Sequence, residues 1–282
     1  MWFKKFYEFI LFSSIFISIC AVAFCMETNI LLGLPFNNFS FYCFVFGATL
    51  AQYNLHYLVK NIAVKNSHRL AWSQRNRKIH LLLFIAGVGL ILFSFFSFHL
   101  KHFIILLSLG GIAFLYSFPF LPFGKKRRIK DYGFMKIITI TLLWTLVTVW
   151  FPVNSMPFET NLFLFVFAKR FVFMFVLCLL FDIRDIDVDR QEKINTLAVI
   201  IGKRKAYFLS SILLILFALL SIVQYIYFPQ KGVLIAMFLS VAATFINIEL
   251  TKKSNSDFIY LAGIDGMMLL QAILVFLFSL NL

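Results

Sequence analysis

Four aspartates lie close together in the segment FDIRDIDVDR at residues 181–190, as Asp182, Asp185, Asp187 and Asp189. If one helix runs through the segment, Asp182, Asp185 and Asp189 share a face, and Asp187 points away from Asp182 by about 140°. Like charges at this spacing repel each other, and the C-terminal end of a helix disfavours carboxylates. A bound divalent cation would remove both penalties, so the cluster predicts a metal site.

Mg²⁺ is the metal that best suits such a cluster. It takes one or two protein carboxylates and fills its remaining octahedral positions with water and substrate phosphate. Arg184, Arg190 and the basic run 203–205 could then hold diphosphate oxygens through charge-assisted hydrogen bonds. The alternative is a solvated turn, in which interleaved arginines offset the aspartates and nothing binds.

The elements that position this cluster are membrane helices. The chain is 62% hydrophobic and 13% charged, whereas soluble domains are about 25% charged. A soluble protein of this composition could not cover its surface with polar residues, so the sequence predicts an integral membrane protein. Its net charge of +14 comes from basic residues between the apolar spans. Anionic membrane lipids or a phosphorylated substrate are therefore the expected partners, rather than nucleic acid, and no protein partner can be inferred.

The apolar runs predict an all-α, polytopic membrane protein with about nine transmembrane helices around a central cavity. A spanning helix needs about 20 mostly apolar residues. We expect a single transmembrane domain over residues 1–282. The predicted helices lie near 7–26, 39–59, 79–98, 102–121, 132–152, 161–183, 206–228, 232–250 and 257–280.

The loops between these helices carry an asymmetric charge. Nearly all loop lysines and arginines fall on one side, and only Lys101 and Lys231 fall in loops on the other. The positive-inside rule places the basic side in the cytoplasm. We therefore predict a protein of the cytoplasmic (inner) membrane with its N-terminus inside and its C-terminus outside.

Two segments resemble a known family of membrane enzymes. The string from Phe181 to Arg190, followed by NTLAV at 195–199 and GKR at 202–204, looks like the second aspartate-rich motif of the UbiA-type prenyltransferases. The segment Tyr116-Ser-Phe-Pro119, followed by Lys125 and Lys126, resembles a segment after the fourth helix of that family. Helix number, orientation and the order of the motifs agree with this resemblance over most of the chain.

The resemblance implies roles for particular residues. Asp182, Asp185 and Asp189 would be the catalytic carboxylates and the Mg²⁺ ligands. The expected residues for binding the prenyl diphosphate are Asn54, His56, Lys60, Tyr116, Lys125, Arg184, Arg190, Lys193 and Lys203. Trp144 lies where the fifth helix of the family often carries an aromatic residue.

The first aspartate-rich motif of the family is degenerate in this chain. At the end of the second predicted helix, Asn54 matches the leading asparagine, but Leu55, Leu58 and Ile62 stand where aspartates are expected. His56 and Lys60 are the nearest polar substitutes. A second Mg²⁺ site is therefore lost, and either basic groups replace it or catalysis has been abandoned.

Three functions are compatible with these observations. The first is Mg²⁺-dependent transfer of a prenyl group from a prenyl diphosphate to an aromatic or other lipophilic acceptor. The second is a non-catalytic relative that binds an isoprenoid or lipid, and the third is a transporter in which buried charges mark an ion path. Charges inside a membrane are usually paired, so we also expect Asp265 to pair with Arg170 or Lys169, or to face the central cavity.

Overall fold

The computed structural model describes residues 2–59, 68–98, 100–117, 133–153 and 156–280, and within these ranges it contains helices and no strands. The α-helices are α1 Trp2–Phe12, α2 Ile15–Leu31, α3 Phe39–Val59, α4 His68–Arg75, α5 Arg77–Phe95, α6 Leu100–Ser117, α7 Gly133–Thr145, α8 Phe151–Val153, α9 Thr160–Arg184, α10 Ile186–Gln191, α11 Leu197–Ile201, α12 Lys203–Tyr227, α13 Lys231–Lys253 and α14 Gly266–Leu280. Two π-helical segments, Leu146–Trp150 and Ile259–Ile264, continue into α8 and α14.

Six helical segments of the described residues are long and apolar enough to cross a membrane. They are Arg77–Phe95, Gly133–Val153, Thr160–Arg184, Lys203–Tyr227, Lys231–Lys253 and Ile259–Leu280. A seventh is present if α1 and α2, which meet at a 59° bend, together form one span. The prediction of an all-α polytopic membrane protein is confirmed, while the number nine stays a prediction.

Helix α2 is central to the bundle, because it packs against α3, α14 and the π-helical segment Leu146–Trp150. Helix α9 packs between α7 and α12. Phe24 of α2, Phe173 of α9 and Phe217 of α12 are fully buried where these helices meet. Ring packing in this inner layer fixes the position of α9, which carries the carboxylates at its end.

Glycines allow α3 and α5 to approach very closely. A Cβ atom on Gly47 would lie 2.7 Å from the carbonyl oxygen of Gly87. A Cβ atom on Gly87 would likewise lie 2.7 Å from the carbonyl oxygen of Gly47. Small residues at a helix contact are typical of membrane bundles, where close backbone packing replaces the hydrophobic effect. Helices α3 and α5 therefore form a tight pair beside α2.

Candidate active site

The helix that carries the four aspartates breaks inside the cluster. Helix α9 ends at Arg184, and Asp185 has φ −91° and ψ 7°, outside helical geometry, before α10 begins at Ile186. Asp182 and Asp189 both face inward, with 5% and 6% of their surfaces exposed. Asp187 is exposed. The break therefore separates the cluster into two buried carboxylates and two that are more accessible.

Lys136 of α7 bridges the two buried carboxylates. Its Nζ atom lies 2.8 Å from Asp182 Oδ1 and 3.3 Å from Asp189 Oδ2. One cationic side chain thus holds two carboxylates from different helices around a common point. Two carboxylates that converge on one cation are what a metal ligand pair requires.

A glycine at the start of α7 sets the position of Lys136. Gly133 has a positive φ of 25°, and a Cβ atom there would lie 1.8 Å from the carbonyl oxygen of Asn195. Any other residue would clash with the backbone that follows α10. Lys136 lies one turn further along α7, so this close approach brings it to Asp189.

The two carboxylates fit Mg²⁺ in their chemistry. Asp182 Oδ2 is buried and has no hydrogen-bond partner, and an acceptor of this kind is costly unless a cation or donor satisfies it. Burial raises the pKa of Asp189, although the Lys136 ammonium acts in the opposite direction, so a further cation would favour its ionised form. The part of the chain that the structure describes contains no group of three His, Cys, Asp or Glu side chains placed to hold a metal. The fit is therefore to a metal with two protein ligands.

Asp185 is engaged elsewhere. Its carboxylate accepts two hydrogen bonds from the neighbouring Arg184, from Nε at 2.8 Å and from Nη2 at 3.1 Å. The Arg184 guanidinium also lies over the rings of Phe181 and Tyr260, 4.9 and 5.2 Å from their centroids. The sequence predicted that Asp182, Asp185 and Asp189 share one face, but this structure unites only Asp182 and Asp189 around Lys136.

A second cationic group, Arg69 of α4, lies on the same side of the bundle. Its backbone N–H donates to Asp257 Oδ2 at 3.0 Å, and its guanidinium lies 4.8 Å from the ring centroid of Tyr57. The Arg69 Nε atom is buried and has no hydrogen-bond partner. The charges of Arg69 and Arg184 both act on Tyr57 and on Asp265. These side chains therefore form a polar lining in which two arginines face a shared region.

Asn54, one of the predicted substrate-binding residues, makes structural contacts. It is fully buried. Its Nδ2 donates to the carbonyl oxygens of Ser13 at 3.0 Å and Leu50 at 2.8 Å, and its Oδ1 lies 2.6 Å from His80 Nδ1. The contact with Ser13 joins α3 to the α1–α2 turn and the contact with His80 joins it to α5, while the bond to Leu50 stays within α3.

The other predicted binding residues are exposed at separate positions or lie outside the described residues. His56 is exposed on α3, where its ring meets that of Tyr57 edge to face. Arg190, Lys193 and Lys203 are exposed, on or near the short helices that follow the carboxylates. Lys60 and Lys125 lie outside the described residues, as does the side chain of Tyr116. The structure therefore does not bring these residues together, and their roles stay predictions.

Asp265 forms no ion pair with Arg170 or Lys169 among the described residues, so this part of the prediction is wrong. The alternative, that Asp265 faces the central cavity, stays a prediction. Arg170 Nη2 instead lies 3.2 Å from Oε2 of Glu27 on α2, in a fully buried ion pair. The charges of Arg69 and Arg184 act on Asp265. The physical reason is the position of α2, which brings Glu27 within ion-pair distance of Arg170.

Lys136, Arg69 and Glu27 are the residues that sequence reasoning missed. Glu27 carried a usable signal, because an acidic residue beside an apolar span is unusual and usually paired. Lys136 and Arg69 belong to segments that read as basic loops and helix ends, whose charge is explained by membrane topology alone. Only the folded arrangement shows that these two cations face inward.

Comparisons with known proteins add evidence from outside this chain. The sequence profile of the UbiA prenyltransferase family matches residues 63–264. A search of curated proteins found no match.

Solved structures share the fold at low sequence identity. A UbiA homolog from Archaeoglobus fulgidus bound to GPP and Mg²⁺ has a TM-score of 0.66 at 13% identity, over 95% of this chain and 99% of that chain. The apo structure of a UbiA homolog from Aeropyrum pernix K1 has a TM-score of 0.58 at 13% identity, over 93% of this chain and 95% of that chain. A structure of digeranylgeranylglyceryl phosphate synthase has a TM-score of 0.55 at 17% identity, over 99% of this chain and 98% of that chain.

Proposed function

Because this chain belongs to the UbiA prenyltransferase family, we propose that it transfers a prenyl group from a prenyl diphosphate to a lipophilic acceptor, with Mg²⁺ as its metal. The observation that carries the proposal is the convergence of Asp182 and Asp189 on one point, with an oxygen of Asp182 left without a partner. A similar fold binds GPP and Mg²⁺ in the Archaeoglobus fulgidus homolog, which supports the same ligand classes here.

Different residues would bind the metal and the diphosphate. Asp182 and Asp189 would hold Mg²⁺, which when bound neutralises charge that develops on the departing diphosphate. Arg69 would donate hydrogen bonds to phosphate oxygens, because its Nε has no protein partner in the part of the chain that the structure describes. Arg184 would donate from the N–H groups that do not contact Asp185. The bond between the prenyl carbon and the diphosphate oxygen breaks, its electron pair leaves with the diphosphate, and the acceptor supplies the pair for the new bond.

Aromatic side chains near the carboxylates suit an allylic cation. Tyr53 and Trp144 both pack against the main hydrophobic core, and the ring of Phe181 packs against that of Tyr260 with centroids 5.6 Å apart. Ring faces stabilise positive charge, and an apolar surround keeps water from quenching it. We assign this lining to the prenyl chain, whereas the acceptor is specified here only as lipophilic.

The wider organisation is part of the same proposal. We infer that residues 1–282 form one transmembrane domain, a reading supported by the packing of α2 against α14 near the two ends of the chain. The basic loops support the inner membrane as the location, with the N-terminus and the carboxylates on the cytoplasmic side.

A non-catalytic role in binding an isoprenoid or lipid is the second candidate. Lys136 already forms ion pairs with both Asp182 and Asp189, and aspartates are absent where the first family motif would place them. Both observations are compatible with a cavity that binds its ligand without turnover. The family match does not favour the transporter alternative.

Release of diphosphate tests the enzyme directly. Purified protein in detergent is incubated with Mg²⁺ and prenyl diphosphates of increasing length, and free diphosphate and labelled acceptor are measured. We expect Mg²⁺-dependent release that falls by about 100-fold or more in Asp182→Asn, the scale of losing one group that stabilises transition-state charge. Asp187→Asn is the matched control, because Asp187 is exposed in the same segment and should leave the rate unchanged.

Two outcomes would contradict this function. Absence of Mg²⁺-dependent release with every donor, while wild-type protein still binds a prenyl diphosphate, would favour the non-catalytic candidate. Equal loss in Asp182→Asn and Asp187→Asn would show that general charge at this segment, and not the convergent pair, supports the reaction.

A further inference from the structure

A small recess lies at the other end of the bundle from the carboxylates. It is formed by the middle of α9, the last turns of α12 and the first turns of α13. Its empty volume of about 180 Å³ includes open solvent, and about 10 Å³ of it can take the centre of a water-sized group. Polar residues in its lining include Lys169, Ser221, Gln224 and Gln230. Lys169 and Asp182 are separated along α9 by about 20 Å at the helical rise per residue. The recess is therefore distinct from the candidate active site.

Lys169 brings a charge into this recess without a partner from the protein. Its surface is only 2% exposed, and its Nζ atom has no hydrogen-bond partner among the described residues. The nearest aromatic contact is distant, with Nζ 5.7 Å from the ring centroid of Phe217. A buried ammonium in this condition is costly unless an external group satisfies it.

The acidic residue nearest to Lys169 is already engaged. Glu27 Oε2 lies 3.2 Å from Arg170 Nη2, and Glu27 Oε1 accepts a hydrogen bond from Gln271 Nε2 at 3.1 Å. Arg170 is held in turn over the ring of Phe24, 3.5 Å from its centroid. Two buried cations thus share one carboxylate, and the balance around Lys169 is positive.

The start of α13 adds to this positive character. Gln230 occupies the N-cap position and makes no capping hydrogen bond with its side chain. Val233 and Leu234 in the first turn of α13 line the same recess. The first N–H groups of a helix are unpaired, and together with the helix dipole they favour an anion. The N-terminus of α13 and the Lys169 ammonium therefore both favour a negatively charged group.

We propose that an oxyanion binds at the opening of this recess and inserts one oxygen atom, with the Lys169 ammonium as its counter-charge and the first turn of α13 as a second attraction. The group would be a phosphate, carried by an anionic phospholipid headgroup that enters at the membrane interface or present as free inorganic phosphate. This site goes beyond prenyl transfer and does not depend on it.

Thermal unfolding of the full chain in detergent tests the site. The protein is depleted of lipid and compared at matched ionic strength with and without inorganic phosphate, and with phosphatidylglycerol or a diacylglycerol of the same acyl chains. We expect the anion to raise the Tm of the wild type by about 2–4 °C or more at saturation. Lys169→Met should remove this rise. Lys253→Met is the matched control, because Lys253 is exposed at the opposite end of α13 and should keep it.

The changes in Tm distinguish free phosphate from a lipid headgroup, and they support or contradict the proposed site. A rise with inorganic phosphate identifies a site open to free anions, and a rise with phosphatidylglycerol alone identifies a headgroup site. Either supports the proposal when Lys169→Met lacks the rise. No rise in the wild type with either anion overturns it, as does an equal rise in Lys169→Met, which would reflect general stabilisation by phosphate. If Lys169→Met does not fold, Lys169→Gln replaces it and the wild-type responses still decide.

Discussion

Two clusters of opposite charges lie at different depths in this bundle, and they differ in exposure and in the sign of their surplus charge. At the end of α9, Lys136 joins Asp182 and Asp189, whose side chains are 7% and 8% exposed. In the bundle interior, the side chains of Glu27 and Arg170 are 0% and 1% exposed, and Arg170 is further held by the ring of Phe24. The first cluster has one lysine for two carboxylates, and the second has one carboxylate for Arg170 and the nearby Lys169. Both clusters contain buried polar atoms without a hydrogen-bond partner among the described residues.

The difference indicates separate purposes. A fully buried ion pair whose partners come from three helices ties those helices together. A cluster with surplus negative charge, nearer the surface, remains able to accept a cation. Ionisable residues within a membrane are usually functional or paired, and exposure and the sign of the surplus charge separate these two cases.

Breaking the inner pair should give the largest loss of stability. In Glu27→Gln, Arg170 would be left as an uncompensated buried cation beside Lys169. Removing one member of a buried ion pair costs about 3–5 kcal/mol. We expect Glu27→Gln to lower the free energy of unfolding by this amount, measured by denaturation in detergent. The double variant Glu27→Gln with Arg170→Met should recover much of the loss, because no unpaired charge from this pair remains.

An exposed pair provides the matched control for this prediction. Glu249 contacts Lys252 in a pair whose side chains are exposed. Exposed pairs contribute about 0–1 kcal/mol, so Glu249→Gln should have little effect on unfolding. If Glu27→Gln were as mild as Glu249→Gln, the inner cluster would not be a structural tie.

Removing Lys136 should have an intermediate effect that depends on Mg²⁺. Lys136→Met leaves Asp182 and Asp189 facing each other without the cation that lies between them. We expect a loss of about 1–3 kcal/mol of stability in a chelator, the cost of leaving buried acceptors unsatisfied. Mg²⁺ should restore more stability to this variant than to the wild type, because the metal takes over the role of the ammonium. Thermal unfolding with and without Mg²⁺ measures the difference.

Lys253→Met again serves as the control, since Lys253 is exposed at the end of α13. An identical loss in Lys136→Met with and without Mg²⁺ would mean that the cluster at the end of α9 is a structural tie like the inner one. The contrast between the two clusters would then disappear.

The sequence predicts the parts of this molecule that depend on local composition. Apolar length identifies membrane helices such as α9 and α12 because the bilayer fixes the length that a span requires. The segment 181–190 identifies the carboxylates because their crowding is unfavourable without a cation. The break at Asp185, which decides which carboxylates converge, has no comparable signature in these residues.

Contacts between distant segments could not be predicted in the same way. Lys136 is 53 residues from Asp189 in sequence, and Gln271 is 244 residues from Glu27. Nothing in the local pattern of a lysine in a basic segment distinguishes one that faces a carboxylate from one that faces water. The pairing of Arg170 with Glu27 rather than Asp265 likewise depends on which helix α9 packs against.

The smallest predicted effect concerns Asp185, where resemblance and structure give different rankings. The resemblance assigns Asp182, Asp185 and Asp189 together as metal ligands, which predicts that Asp185→Asn is as damaging as Asp182→Asn. In the structure, Asp185 is held by Arg184 through two hydrogen bonds, and its side chain is 39% exposed. We therefore expect Asp185→Asn to lower kcat/KM for the prenyl diphosphate by less than about tenfold, or 1.4 kcal/mol of transition-state stabilisation. Equal losses in the two variants would indicate that Asp185 turns from Arg184 to the metal during catalysis. The cluster would then act as three carboxylates, and Arg184 would be free to bind the diphosphate.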